Sequence, residues 1–137
     1  MRRLWLDANV IIRFLTGEPV DHHAKTVRLM ARAERGEVEL VVSDLILAEV
    51  VWVLRTFYKF SMEQIAEVLL AFVSSPGIHA SDPELQIRAI ELARDKNVDF
   101  VDAYLALTAA ARREPVCTFD KTDFKRLPAS WVQPNGS

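Results

Sequence analysis

Two kinds of hydrophobic pattern alternate along the chain. Short, nearly continuous apolar runs predict strands, and they lie at positions 3–6, 38–42, 78–80, 116–119 and 131–132. Segments with apolar residues three or four positions apart lie between these runs and predict helices. Strands that alternate with helices favour an α/β fold, here a single domain whose mostly parallel central sheet has about four to five short strands and helices on both faces.

Capping residues place the starts of the predicted helices. Asp7 precedes the first helix, Asp21 would cap the second, and either Ser43 or Asp44 would cap the third. Ser61 and Gln64 have the spacing of a capping box. His22 and His23 are adjacent on the first turn of the second helix and point in different directions, so we interpret them as surface residues rather than metal ligands.

An aspartate pair, Asp99 and Asp102, opens a further predicted helix. Residues three apart share a helix face, so their like charges repel unless a positive group lies between them. Asp102 also shares a face with Leu105 and Ala106, which predicts that it points toward the core. A metal ion or a positive partner would offset the cost of burying this carboxylate. The alternative is that Asp99 caps the helix and Asp102 faces solvent.

Three further acids are candidates for the same chemistry. Asp7 and Asp120 each follow a predicted strand, and the carboxyl ends of parallel strands form the edge where α/β sheets bind ligands. Glu49 has only apolar neighbours one helical turn away, so no polar stripe exists for it to join. Converging carboxylates would repel each other, and one or two divalent cations with oxygen ligands would relieve that repulsion. No Walker-type phosphate loop and no zinc-binding Cys/His spacing is present in the sequence.

Length and composition limit the possible classes. The 137 residues predict one domain over positions 1–133 and a frayed tail at 134–137. The net charge of −2 argues mildly against a nucleic-acid partner, unless metal neutralises a concentrated acidic site. The single cysteine, Cys117, excludes an internal disulfide and fits a cytoplasmic location, where we expect it to fill the core. No apolar stretch reaches the roughly 18 residues of a membrane span, so no membrane association is expected.

Four segments, at positions 6–12, 47–50, 102–106 and 118–124, resemble the acidic motifs of PIN-domain ribonucleases in order and spacing. They are most similar to the VapC toxins of type II toxin–antitoxin systems, and the resemblance covers nearly the whole chain. It implies a sheet flanked by helices, a Mg²⁺- or Mn²⁺-dependent endoribonuclease with RNA as substrate, and a small antitoxin protein as partner.

The resemblance also implies roles for individual residues. Asp7 and Asp102 would hold the metal, with Asp120 and Glu49 binding it directly or through water, and the ions would activate water and stabilise charge on the phosphate. Asn9 and Thr118 would orient carboxylates or a phosphate oxygen, or else serve a turn or a cap. Asp99 and Asp123 are treated as supporting acids. Candidates for contact with the RNA backbone, or else solvated surface residues, are Arg13, Lys121, Lys125 and Arg126.

Two other functional classes remain open from the sequence. A phosphotransferase with Asp7 as covalent nucleophile is one, although haloacid-dehalogenase-like enzymes have a second aspartate where Asn9 stands. A non-catalytic binding module is the other.

The predicted helices at 45–54 and 62–73 carry more apolar surface than one core face needs, which favours a homodimer. An antitoxin could lay an amphipathic helix on the apolar surface and place a basic side chain among the four acids. The side chains expected to receive that helix are Trp52, Phe57, Tyr58 and Phe60.

Overall fold

The computed structural model describes residues 2–135 and contains five strands and seven helices within that range. The strands are β1 (Arg2–Trp5), β2 (Val38–Val42), β3 (Ile78–Ala80), β4 (Val116–Cys117) and β5 (Trp131–Val132). The helices are α1 (Ala8–Thr16), α2 (Val20–Glu34), α3 (Asp44–Thr56), α4 (Met62–Val73), α5 (Pro83–Lys96), α6 (Phe100–Ala111) and α7 (Lys121–Phe124). The predicted α/β class with parallel strand pairing is confirmed.

The chain forms two compact units, which meet in sequence between residues 83 and 84. The first contains a parallel three-stranded sheet in the order β1-β2-β3, in which Leu40 pairs with both Leu4 and Ile78. Because the three strands run in the same direction, their carboxyl ends share one edge. Asp7, Ser43 and Ser81 follow the strands at this edge.

Local hydrogen bonds explain where several helices of the first unit begin. Ser43, rather than Asp44, caps α3, since its Oγ accepts a hydrogen bond from the Ile46 N–H at 3.2 Å. Ser61 and Gln64 form the predicted capping box of α4. The prediction for Asp21 was wrong, because α2 begins at Val20 after Pro19 and places Asp21 inside the first turn.

The core of the first unit lies on β2 and on the helices that pack around it. Leu40, Leu47, Leu54, Ile65 and Leu69 are completely buried. The apolar side of α4 is therefore used inside the fold, so of the two helices predicted to carry surplus apolar surface it is α3, with the residue that follows it, that leaves large side chains exposed. The side chains of Leu45, Trp52 and Phe57 are 80%, 61% and 79% exposed.

The second unit contains α5, α6 and α7 and a separate parallel pair of strands, β4 and β5. β4 is shorter than the run 116–119 predicted, and Phe119 beyond it is exposed. The expectation that Cys117 fills the core was wrong. Val116 is buried and Cys117 is exposed, because consecutive strand residues point to opposite faces.

None of the helices within residues 2–135 combines the length and the apolar composition of a membrane span. The single domain over 1–133 stays a prediction. Of the predicted tail, Pro134 and Asn135 form a turn, and positions 136 and 137 lie outside the described residues.

Candidate metal centre

Three carboxylates of the second unit form a cluster. One oxygen from each of Asp102, Asp120 and Asp123 lies within 4.8 Å of the other two. Oxygens that share a Mg²⁺ ion are roughly 3–4 Å apart, since each is about 2.1 Å from the metal. The cluster is therefore close to the spacing of a shared ion, and carboxylate oxygens are the donors that Mg²⁺ and Mn²⁺ prefer.

A tight turn between β4 and α7 positions two members of the cluster. Asp120 is the N-cap of α7, and its Oδ1 accepts a hydrogen bond from the Asp123 N–H at 3.0 Å. The Thr118 Oγ1 accepts a hydrogen bond from the Asp120 N–H at 2.9 Å. These bonds between side chains and backbone restrain the turn that carries both aspartates.

Arg126 pairs with one member of the cluster. Its Nη2 donates to the Asp123 Oδ1 at 2.9 Å, and its Nη1 donates to the carbonyl oxygen of Lys96 at the end of α5. The guanidinium therefore neutralises part of the negative charge of the cluster and restrains the Asp123 carboxylate. Arg126 had been a candidate for contact with the RNA backbone, and this ion pair gives it a second possible role.

Asp102 lies in the first turn of α6 and, like Asp123, is half-buried. Its surroundings shift the pKa of its carboxyl. Burial raises the pKa of its carboxyl, and the negative charges of Asp99, Asp120 and Asp123 raise this pKa further. A carboxylate in such surroundings favours a proton or a cation. The residues present thus fit a hard divalent ion.

The predicted direction of Asp102 was partly wrong. Ala106 is buried as expected, but Leu105 is 44% exposed. Asp102 therefore lies at the edge of the buried face of α6, which is formed by Phe100, Ala103 and Ala106. Asp99 occupies the N-cap position without making a side-chain capping hydrogen bond, and it is exposed.

Asp7 and Glu49 belong to the first unit. Asp7 is the exposed N-cap of α1, and its Oδ1 accepts a hydrogen bond from the Ala8 N–H at 2.8 Å. Glu49 is exposed on α3. Two of its apolar neighbours, Leu45 and Trp52, are exposed as well, so Glu49 lies within an exposed apolar surface.

The remaining candidates lie at the surface or close to it. Asn9, Lys121 and Lys125 are exposed, and Arg13 is half-buried. Sequence reasoning ranked Asp123 only as a supporting acid, although the structure places it in the cluster. The sequence feature that could have identified Asp123 is its position three residues after Asp120. The same spacing had drawn attention to Asp99 and Asp102.

Comparison with known proteins identifies the family. The sequence matches the family model described as PIN domain over residues 4–129, a range that includes all four predicted catalytic acids. The chain belongs to the PIN domain family. PIN domains are generally nucleases and typically use divalent metal ions, which agrees with the carboxylate cluster of this PIN domain.

One similar solved structure is the crystal structure of VapBC2 from Rickettsia felis bound to a DNA fragment from their promoter. The matched chain is 20% identical to this PIN domain, with 97% of this chain and 98% of that chain covered and a TM-score of 0.39. A search of curated proteins gave no match.

Proposed function

We propose that this PIN domain is a metal-dependent endoribonuclease that cleaves phosphodiester bonds of RNA with Mg²⁺ or Mn²⁺. The observation that supports it best is the cluster of Asp102, Asp120 and Asp123 in a member of a nuclease family. The choice of RNA rests on the resemblance of the four acidic motifs to those of PIN-domain ribonucleases.

Each acid has a proposed task. Asp102 and Asp120 would hold the metal, and Asp123 would add a third oxygen donor next to them. Asp7 and Glu49 are proposed as further catalytic acids on the basis of their sequence motifs. A bound divalent ion would supply Lewis-acid activation of water and neutralise charge on the phosphate. Thr118 fixes the turn that presents Asp120, and Arg126 restrains the Asp123 carboxylate.

Replacement of Asp102 tests the assignment directly. Asp102→Asn keeps the shape of the side chain but removes the charge of a metal ligand. RNA cleavage should therefore fall by more than roughly a hundredfold, a larger loss than is typical when a residue that only hydrogen-bonds to a metal ligand is replaced. The measurement is cleavage of a labelled oligoribonucleotide with Mg²⁺, with Mn²⁺ and with EDTA. Cleavage should require one of the two metals.

Asp95→Asn is the matched control within the same unit. Asp95 is an exposed aspartate that pairs with Arg94 and lies outside the cluster, so its replacement should leave cleavage nearly unchanged. The same assay with Asp7→Asn and Glu49→Gln tests the two acids of the first unit. Cleavage that persists both in EDTA and in Asp102→Asn would contradict the proposal.

We also propose that the enzyme is the cytoplasmic toxin of a toxin–antitoxin pair and forms a homodimer. The similarity of the motifs to VapC toxins supports the first statement. The exposed side chains of Leu45, Trp52 and Phe57 support a protein partner, because an apolar surface of this kind is costly to leave in water. An antitoxin that covers this surface could also direct a basic side chain toward the catalytic acids.

A further inference from the structure

A cavity of about 340 Å³ lies between α1 and α2 in the first unit. Three residues of each helix line it, namely Asn9, Val10, Arg13, His22, Lys25 and Thr26. Its volume is at the lower end of the range of roughly 300–1,000 Å³ that small-molecule sites occupy. A single nucleotide unit is a ligand of suitable size.

The charges around this cavity are unbalanced. Arg13, Lys25 and His22 are basic residues, and the six residues that line the cavity include no carboxylate. Among residues 2–135, none of these three side chains takes part in an ion pair, although Asp21 lies one helical turn before Lys25. Arg13 donates only a long hydrogen bond, 3.5 Å, to the carbonyl oxygen of Glu18. An anionic ligand would relieve the repulsion between the cations.

The cavity also offers partners for a base. Imidazole and guanidinium groups both provide flat faces on which unpaired bases stack, and His22 and Arg13 carry these groups. The Asn9 amide has donors and an acceptor that can pair with a base edge. Val10 adds an apolar wall. This combination of phosphate-binding and base-binding groups favours a nucleotide of a single strand over inorganic phosphate.

The position of the cavity relates it to the catalytic acids. Asn9 is two residues after Asp7, at the start of the same helix. The cavity is therefore formed in part by the first turn of the helix that Asp7, one of the proposed catalytic acids, caps.

We propose that this cavity is a subsite for one nucleotide of single-stranded RNA. Arg13 and Lys25 each bind one of the two backbone phosphates that flank the nucleotide, and His22 and Asn9 contact the base. This inference rests on the proposed function, since it assigns the cavity to the RNA substrate. His22, which the sequence placed among ordinary surface residues, becomes a determinant of base preference.

The test separates binding from cleavage. Binding of a fluorescein-labelled oligoribonucleotide is followed by anisotropy in EDTA, which prevents metal-dependent cleavage. The double variant Arg13→Gln/Lys25→Gln should bind roughly tenfold more weakly, and the slope of log affinity against log salt should decrease by about 1.4, or two phosphate contacts. Lys25→Gln alone, at an exposed position, should give about half of the change in slope.

Arg55→Gln/Arg112→Gln is the matched control. It removes the same charge from two exposed positions outside the cavity, so affinity and slope should change little. His22→Ala should shift the base preference at one fixed position next to the cut, read by sequencing the cleavage products, while the requirement for metal stays the same. Thermal melting of each variant checks that the fold is intact.

The outcomes distinguish the subsite from the enzyme. If the wild type cleaves RNA and the double variant binds and cleaves RNA to the same extent, the subsite is refuted and the nuclease stands. If the wild type does not cleave but the double variant loses binding, the nuclease is refuted and the subsite stands. Equal binding of single-stranded DNA, with the same loss in the double variant, would refute the assignment to RNA.

Discussion

At the scale of single residues, Asp102 is the member of the carboxylate cluster whose pKa is shifted. Its carboxyl is half-buried, and the charges of Asp99, Asp120 and Asp123 disfavour its ionised form, which is why its pKa is raised. A folded state that binds this proton more tightly than the unfolded state is relatively more stable at low pH. The contribution of Asp102 is fully present below the ordinary pKa of an aspartate and is lost as pH rises through the raised value.

Asp102→Asn should therefore stabilise the protein in EDTA at neutral pH, although the same substitution should abolish cleavage. The gain should disappear as pH falls toward the ordinary aspartate range, because the wild-type carboxyl is then protonated as well. Thermal melting from acid to neutral pH measures both curves. With Mg²⁺ present, the wild type should gain stability and Asp102→Asn should not. A neutral-pH melting temperature of Asp102→Asn below that of the wild type in EDTA would show that the carboxylate is stabilising.

Asp99 differs from Asp102 in its surroundings, so its replacement should have a milder effect. It is exposed and makes no capping hydrogen bond, and its charge raises the pKa of Asp102. Asp99→Asn should weaken cleavage without abolishing it and should lower the pKa of Asp102. Cleavage rates, together with titration of the carboxyls by NMR, check both effects. The opposite order, with Asp99→Asn inactive and Asp102→Asn active, would mean that Asp99 is the ligand.

At the scale of elements, the chain just before β3 passes close to α2 at Gly77. Gly77 has a φ of +82°, and a Cβ there would lie 2.7 Å from the Ala33 Cβ and 2.6 Å from its carbonyl carbon. A Cβ at these distances would force the backbone at Gly77 or Ala33 to move. Gly36, at the turn after α2, has a similar φ of +78° but no atom within 4 Å of an added Cβ.

These two glycines form a matched pair. Gly36→Ala should cost about 1–2 kcal/mol, the cost of the left-handed conformation alone. Gly77→Ala should cost roughly 1–3 kcal/mol more, since overpacking is added to the same conformational cost. Urea unfolding at equilibrium gives both values. Equal losses in the two variants would show that the approach of Gly77 to α2 does not matter for stability.

At the scale of the whole molecule, the exposed apolar side chains at α3 predict an interface with another protein chain. Leu45 and Trp52 are exposed there, and Phe57 follows the helix. We expect a homodimer at micromolar concentration, which light scattering would show, and Leu45→Glu/Trp52→Glu should shift it to monomer. Glu63→Lys, at an exposed position of α4, is a charge-changing control that should leave the dimer intact. A monomeric wild type would rule out this assembly.

The toxin proposal belongs to the same scale. Expression of the protein alone should slow growth, and Asp7→Asn should restore it. Soluble, active enzyme that leaves growth unimpaired at high expression would remove the toxin role and leave the nuclease. An antitoxin that inserts a basic group among the acids should bind more weakly as Mg²⁺ rises, because the two cations compete.

The sequence by itself determined the properties that depend on near neighbours. The strand β2, the capping box at Ser61 and the strand that ends before Asp7 were all predictable, because periodicity and capping involve residues only a few positions apart. The acidic motifs were visible for the same reason. Asp102, Asp120 and Asp123 were thus recognised as acids in the right segments.

Only the tertiary structure decided which side chains meet and which faces are covered. It placed Asp123 with Asp102, bonded Arg126 to the carbonyl oxygen of Lys96, exposed Cys117 and Leu105, and opened the cavity around Arg13 and His22. Each of these results depends on elements distant in sequence, because burial and charge clustering arise when helices and strands pack. A local pattern describes one element at a time and does not contain that information.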